Sequence, residues 1–212
     1  MKMRIQKNSF AIFTVLGLLT FAGCAPALVA ISREDLAQLK NQAEIGAVHH
    51  DPALFYADAG VYGLIGYGMS VSAGKEIRAK YALEDPARAV GAKFFQNLRA
   101  EFGGIAVRAV DRPVSNDDLS AVKAAYSGRW LFDFKTIGWG SAAEGDVEFT
   151  VRGRLIRNDD SKIVWQGMCK YETQDAKGKL LTARNAALLK KKLEAGVSPC
   201  ARDLWAQFQA GR

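Results

Sequence analysis

Histidine is nearly absent from the 212-residue chain: His49 and His50 are the only two, and they are adjacent. That alone leaves little room for His-based catalytic triads or zinc sites. No G-x-S-x-G elbow, no H-E-x-x-H and no G-x-x-x-x-G-K-[ST] loop occurs, which argues against a hydrolase serine, a zincin and a P-loop nucleotide site. No apolar run reaches the eighteen or so residues that a membrane-crossing helix needs. With three cysteines the chain is no disulfide-dense mini-protein, and with 49% hydrophobic residues it is not a disordered one. The length suits one domain with a core able to fold unaided.

What is present begins with an address. Lys2, Arg4 and Lys7 form a positive start, and an uncharged, mostly apolar stretch of fourteen residues follows from Phe10 to Gly23. This is the pattern of a signal peptide rather than of a structural helix. It ends in Phe21-Ala22-Gly23-Cys24, which resembles the lipobox of bacterial lipoproteins, with Phe21 where Leu, Val or Ile is usual. The resemblance implies cleavage before Cys24, diacylation of that cysteine, and membrane attachment through the lipid. Ala25 in place of Asp resembles the outer-membrane sorting signal of enteric-type bacteria. The competing reading is ordinary secretion, since Ala25-Pro26-Ala27 also reads as an A-x-A cleavage site, and Cys24 would then be lost. The organisation expected is a signal peptide over 1–23, a lipidated tether over 24–31 and one domain over 32–212. The location expected is the periplasmic side of the outer membrane, the alternatives being the inner membrane or the soluble periplasm.

Removing residues 1–23 takes three of the 29 basic residues and none of the 22 acidic ones, so a formal +7 becomes +4. Lys190-Lys191-Lys192 and the group Arg152, Arg154 and Arg157 are the densest basic clusters. They read as solvated faces of a helix and a strand, and no nucleic-acid partner is expected. In an exported protein Cys169 and Cys200 have one intramolecular pairing open to them, a structural disulfide. Two buried free thiols are the alternative, and the C-x-x-C spacing of a redox pair is absent.

Trp130, Phe132 and Phe134, then Val147, Phe149 and Val151, then Ile163, Trp165 and Cys169, alternate with polar positions. A three-stranded antiparallel meander over about 129–171 is expected, its apolar face covered by amphipathic helices. Asn158-Asp159-Asp160-Ser161 supplies one turn. Helices are expected after Ser32, after Asp85-Pro86, from Ser115 to Ala125, over about 182–195, and after Ser198-Pro199. Short runs at Ile45–His49 and Ile105–Val110 could add edge or parallel strands. The fold class is α/β (α+β), two layers with a mainly antiparallel sheet. This order of elements resembles the small domain of CsgG- and TolB-N-terminal-like envelope proteins. Asp85-Pro86-Ala87 and Ile163-Val164-Trp165-Gln166-Gly167-Met168-Cys169 resemble a helix start and a strand that recur in proteobacterial lipoproteins.

Residues 59–74, AGVYGLIGYGMSVSAG, carry no charge and hold several glycines. They read as a segment packed on the domain, as a membrane- or partner-inserting loop, or as one that orders on binding. Tyr62, Leu64, Ile65 and Tyr67 are therefore candidate contact residues. Trp139, between Gly138 and Gly140 in an expected turn, reads either as a packing residue or as another contact residue. His49 and His50, beside Asp51, point to opposite faces of a strand and do not converge on one ion. No metal, cofactor or catalytic set is expected. The function expected is a non-enzymatic, lipid-anchored envelope protein that works with envelope protein partners. The alternative is a carrier holding a lipid or wall fragment between sheet and helices.

Overall fold

The computed structural model describes residues 27–51, 53–57, 74–110, 113–115, 117–141, 146–173 and 186–211. The expected signal segment over 1–23, Cys24, and Tyr62, Leu64, Ile65 and Tyr67 lie outside them. Among the described residues, no helix is long and apolar enough to cross a membrane.

Six strands form one mixed sheet on which five helices pack. The strands are β1 (Glu44–His49), β2 (Phe55–Ala57), β3 (Ala106–Ala109), β4 (Trp130–Ser141), β5 (Val147–Arg157) and β6 (Lys162–Glu172). The order is β3-β1-β4-β5-β6; β2 lies beyond β1, against the C-terminal end of β4. The expected meander is β4–β5–β6, all antiparallel, whereas β1, β2 and β3 pair in parallel. β2 escapes the sequence because three residues are too few to show a period.

The helices are α1 (Arg33–Lys40), α2 (74–81), α3 (Pro86–Phe102), α4 (Leu119–Ala124) and α5 (Ala186–Gln209). Ser32 caps α1, its hydroxyl oxygen accepting from the Asp35 N–H at 3.0 Å. Asp85 caps α3 in the same way through Ala87 N–H at 2.9 Å, with Pro86 at the first position, where a missing N–H costs nothing. The cap of α4 is Asp118 rather than the expected Ser115.

The two C-terminal helices expected from Ser198-Pro199 are one, with Pro199 inside it. An interior proline costs about 3 kcal/mol. Burial on both sides offsets that cost: Leu189 and Leu193 precede the proline, and Cys200, Ala201, Leu204 and Phe208 follow it, all in the core. The Cys169–Cys200 disulfide then ties the helix to β6, with Cα atoms 5.4 Å apart. Gly196 lets α5 lie this close, because a Cβ there would collide with the rings of Tyr171 and Phe149.

On the helix-covered face Phe94 is the centre of packing. Its ring meets Phe132, Phe134 and Trp205 at 5.3 Å, Trp165 at 5.5 Å and Phe208 at 5.6 Å. A β-bulge between Thr136 and Gly138 resets the alternation of β4. Ile137 turns out to solvent, and Trp139 returns to the core fully buried, its indole N–H donating to Ala53 C=O at 2.8 Å. Gly138-Trp139-Gly140 is therefore strand, not turn, and Trp139 is not a contact residue. A second irregularity, between Leu155 and Ile156, brings Val164 into the main core, while Ile163 packs on the other face.

That other face is not bare. Val114 and Val122 close over Val48, Leu131 and Ile156, a second apolar cluster beneath α4. The sheet is thus covered on most of one face and on part of the other.

Candidate functional site

The second face carries the densest array of charged groups, and it follows from strand alternation: Asp133 on β4, and Arg152 and Arg154 on β5, point away from the aromatic core. Asp133 is opposite Arg154 in the ladder. The segment leading into α4 adds Asp117, and the residue following β1 adds His50. Asp133 is fully buried, and Arg152, Arg154 and His50 nearly so. The expectation of solvated arginines holds for neither Arg152 nor Arg154; what covers them, Asp117 and α4, lies some thirty residues earlier in the chain.

Arg154 Nε donates to Asp133 Oδ2 at 2.6 Å, and its Nη2 donates to Asp117 Oδ1 at 2.9 Å. Arg152 grips Asp117 with two bonds, at 2.9 and 2.6 Å, and reaches Asp133 Oδ2 at 3.4 Å. Lys135 Nζ lies 3.3 Å from Asp117. His50 Nε2 bonds Asp133 Oδ1. An ionised carboxylate only accepts, so that nitrogen carries the hydrogen. Burial by itself would push Asp133 up, but the His50 hydrogen bond and the charges of Arg154 and Arg152 hold it below the ordinary carboxylate range. Asp117 follows the same logic: burial opposes ionisation, and the bonds and charges of Arg152 and Arg154 outweigh it.

His50, Asp117 and Asp133 offer three ligand atoms within 4.8 Å of one another. The donor set does not suit a cation. Both carboxylates are already neutralised by two guanidiniums, which a metal ion would have to expel into the same buried space. The chemistry of the group is that of a structural ion-pair network. His49, as its strand position requires, lies on the opposite face, where burial and the neighbouring Arg88 lower its affinity for a proton.

His49 lines a recess, a groove of about 430 Å³ where α3 leaves the β1–β3 part of the sheet uncovered. Its floor is Ala47, His49, Val107 and Ala109; its wall is Ala87, Gly91, Ala92 and Phe95. Arg88 and Arg99, both exposed, stand on its rim. The floor is made of small residues and the groove is open to solvent. Among the described residues, no nucleophile–base pair and no pair of carboxylates converges on it.

At the other edge of the sheet, residues 27–31 run along β6. The Val29 N–H donates to Gln166 C=O at 3.0 Å, the Gln166 N–H returns to Val29 C=O at 2.9 Å, and Gln166 Nε2 donates to Ala27 C=O at 2.6 Å. Ile31 is buried in the main core.

No family model matches the chain, and no curated protein matches it. Among solved structures, a PelC dodecamer from Paraburkholderia phytofirmans aligns at 12% identity and a TM-score of 0.36, covering 86% of this chain and 94% of that one. Protein XCC0632 from Xanthomonas campestris aligns at 12% identity and a TM-score of 0.36, covering 88% and 93%. Lipoprotein GNA1162 from Neisseria meningitidis aligns at 13% identity and a TM-score of 0.29, covering 74% and 99%.

Proposed function

We propose that this chain is a cell-envelope lipoprotein. After loss of residues 1–23, Cys24 carries the lipid and holds the domain at the periplasmic face of the outer membrane. There it acts without catalysis, as an interaction or accessory subunit for an envelope protein partner. The observation that supports the anchor best is the pairing of the other two cysteines across β6 and α5. It leaves Cys24, at the end of the lipobox-like sequence, as the single thiol outside a bridge.

The groove beside α3 supports contact rather than carriage. A carrier needs an enclosed apolar pocket that buries most of its ligand. Here the groove is open, with a small-residue floor and the cationic rim of Arg88 and Arg99. Such a surface fits a protein segment that lays apolar side chains into the groove and sets carboxylates against the two arginines.

Replacing Cys24 with Ala is expected to abolish lipid labelling and release the protein from membranes; unchanged membrane fractionation rejects the anchor. For the contact role, a photocrosslinking residue at the exposed Ala92 should yield a discrete protein adduct in cells. A lipid or glycan adduct there would instead favour the carrier.

A further inference from the structure

The two outer strands of the sheet, β3 and β6, end it differently. An outer strand turns every second N–H and C=O outward, where another chain can pair with them. On β6 those groups are in use at the middle of the strand. Gln166 exchanges two hydrogen bonds with Val29. The Gln207 side chain of α5 does the same for Met168: the Met168 N–H donates to Gln207 Oε1 at 3.0 Å, and Gln207 Nε2 donates to Met168 C=O at 2.7 Å. A side-chain amide thus stands where a further strand would lie.

β3 carries no such cover. The N–H groups of Ala106 and Val110 donate inward, to the Ala43 and Ala47 carbonyls of the β1 side, at 2.9 Å each. Alternation therefore turns the N–H and C=O of Val107 and Ala109 outward. Among the described residues nothing bonds them. Ala106, Arg108 and Ala109 are exposed and Val107 is half-buried. Val107 and Ala109 also lie on the floor of the groove beside α3, so a strand added to β3 extends that floor by one spacing, about 4.8 Å. Its side chains on that face come beside Arg88 and Arg99, exposed cations with no carboxylate paired to either among the described residues. The two arginines are eleven positions apart on α3, about 17 Å along the helix. Positions i and i+4 of a strand share a face and lie about 13 Å apart, a difference that two flexible arginine side chains span.

We propose that β3 is a docking edge for an extended, acidic segment of a partner protein. The segment pairs with the outward groups of Val107 and Ala109 as a further strand, lays an apolar side chain toward the groove, and sets one carboxylate against each of Arg88 and Arg99. This rests on the reading of the groove as a protein-contact surface and names the form in which the partner binds. Main-chain bonds at Val107 and Ala109 supply affinity, and the arginines supply the choice of partner. Charge disfavours a second copy of this chain as the occupant, since two β3 edges side by side bring Arg88, Arg99 and the exposed Arg108 against their own counterparts.

The probe is a blocked pentapeptide with glutamate at both ends, valine at the centre and threonine between, and its counterpart has lysine at both ends. Amide hydrogen exchange over β3 is followed by NMR on the full chain in detergent micelles. With the glutamate peptide at millimolar concentration, exchange at Val107 and Ala109 is expected to slow about tenfold or more. The lysine peptide should leave it unchanged. Ala109→Pro removes an outward N–H and no bond to β1, a position where an edge strand tolerates proline. It should abolish the protection of Val107 and leave the unfolding temperature unchanged. Arg88→Glu combined with Arg99→Glu should exchange the preference between the two peptides, a readout independent of the proline variant. Absence of protection by the glutamate peptide, equal protection by both peptides, or undiminished protection in Ala109→Pro overturns strand addition. Protection that rises with the concentration of the protein alone assigns the edge to a second copy and overturns it too. The Ala92 crosslink in cells separates this failure from failure of the reading beneath it. A protein adduct there without strand protection defeats only the added strand, whereas a lipid or glycan adduct defeats the contact surface itself.

Discussion

Asp133 and Arg154 face each other across β4 and β5, with the guanidinium Nε 2.6 Å from the carboxylate in a site closed to water. A charge in such a place is tolerable only with its partner. Asp133→Ala leaves two buried guanidiniums short of a counter-charge and is expected to cost about 3–5 kcal/mol. Urea unfolding monitored by tryptophan fluorescence measures it. The double replacement Asp133→Leu with Arg154→Met should cost less than the single one, because it removes the uncompensated charge along with the pair.

Acid should weaken the fold through the same groups. Asp117 and Asp133 both have folded affinities for protons below the unfolded carboxylate value of about 3.9. Their contribution is therefore fully present above about pH 4 and is lost as pH falls through the lower folded values. Urea midpoints taken from pH 7 to pH 2 should fall more gently below pH 4 for Asp117→Asn than for the unaltered chain. At pH 7 the variant should be the less stable of the two.

The disulfide between Cys169 and Cys200 closes a loop with a sequence separation of 31. Chain entropy assigns about 3.5 kcal/mol to such a loop. Cys200→Ser is expected to lower stability by roughly that amount, and non-reducing peptide mapping of the unaltered protein should recover the 169–200 pair. Two free thiols in the protein isolated without reductant would contradict the pairing.

Packing at Phe94 and Gly196 gives a contrast of opposite size changes. Phe94→Ala removes the ring around which Phe132, Phe134, Trp165, Trp205 and Phe208 gather, at an expected cost of about 3–5 kcal/mol. Gly196→Val drives a side chain into Tyr171 and Phe149, for about 1–3 kcal/mol. Thermal unfolding of both variants checks the two figures.

Much of the sheet was legible along the chain, because alternation is a local property. Trp130, Phe132 and Phe134 with Val151, Phe149 and Trp165 announce the meander, and Ser32 and Asp85 announce their helices by capping chemistry. Trp139 was not legible. The bulge at Ile137 that returns it to the core depends on the register with β5, and its flanking glycines imitate a turn. Pro199 misleads for a similar reason, since its helix continues across it on the strength of burial against a sheet some thirty residues upstream.

The groove had no local signature. Its floor and wall come from three separate stretches of chain, and its defining feature is sheet that α3 leaves uncovered. Arg152 and Arg154 look in sequence like any exposed strand cations; Asp117 and α4 make them a buried network by covering them from elsewhere.

The sequence by itself determined the local matters: where helices start, which strand faces are apolar, and which cysteine stands at the end of a lipobox-like segment. Each depends on neighbours a few residues apart. Only the tertiary structure decided that residues 27–31 run along β6, that Asp133 and two arginines share a buried site, and that the groove lies toward the opposite edge of the sheet from those residues. Those depend on strand order and register, which bring together residues that no sequence period relates.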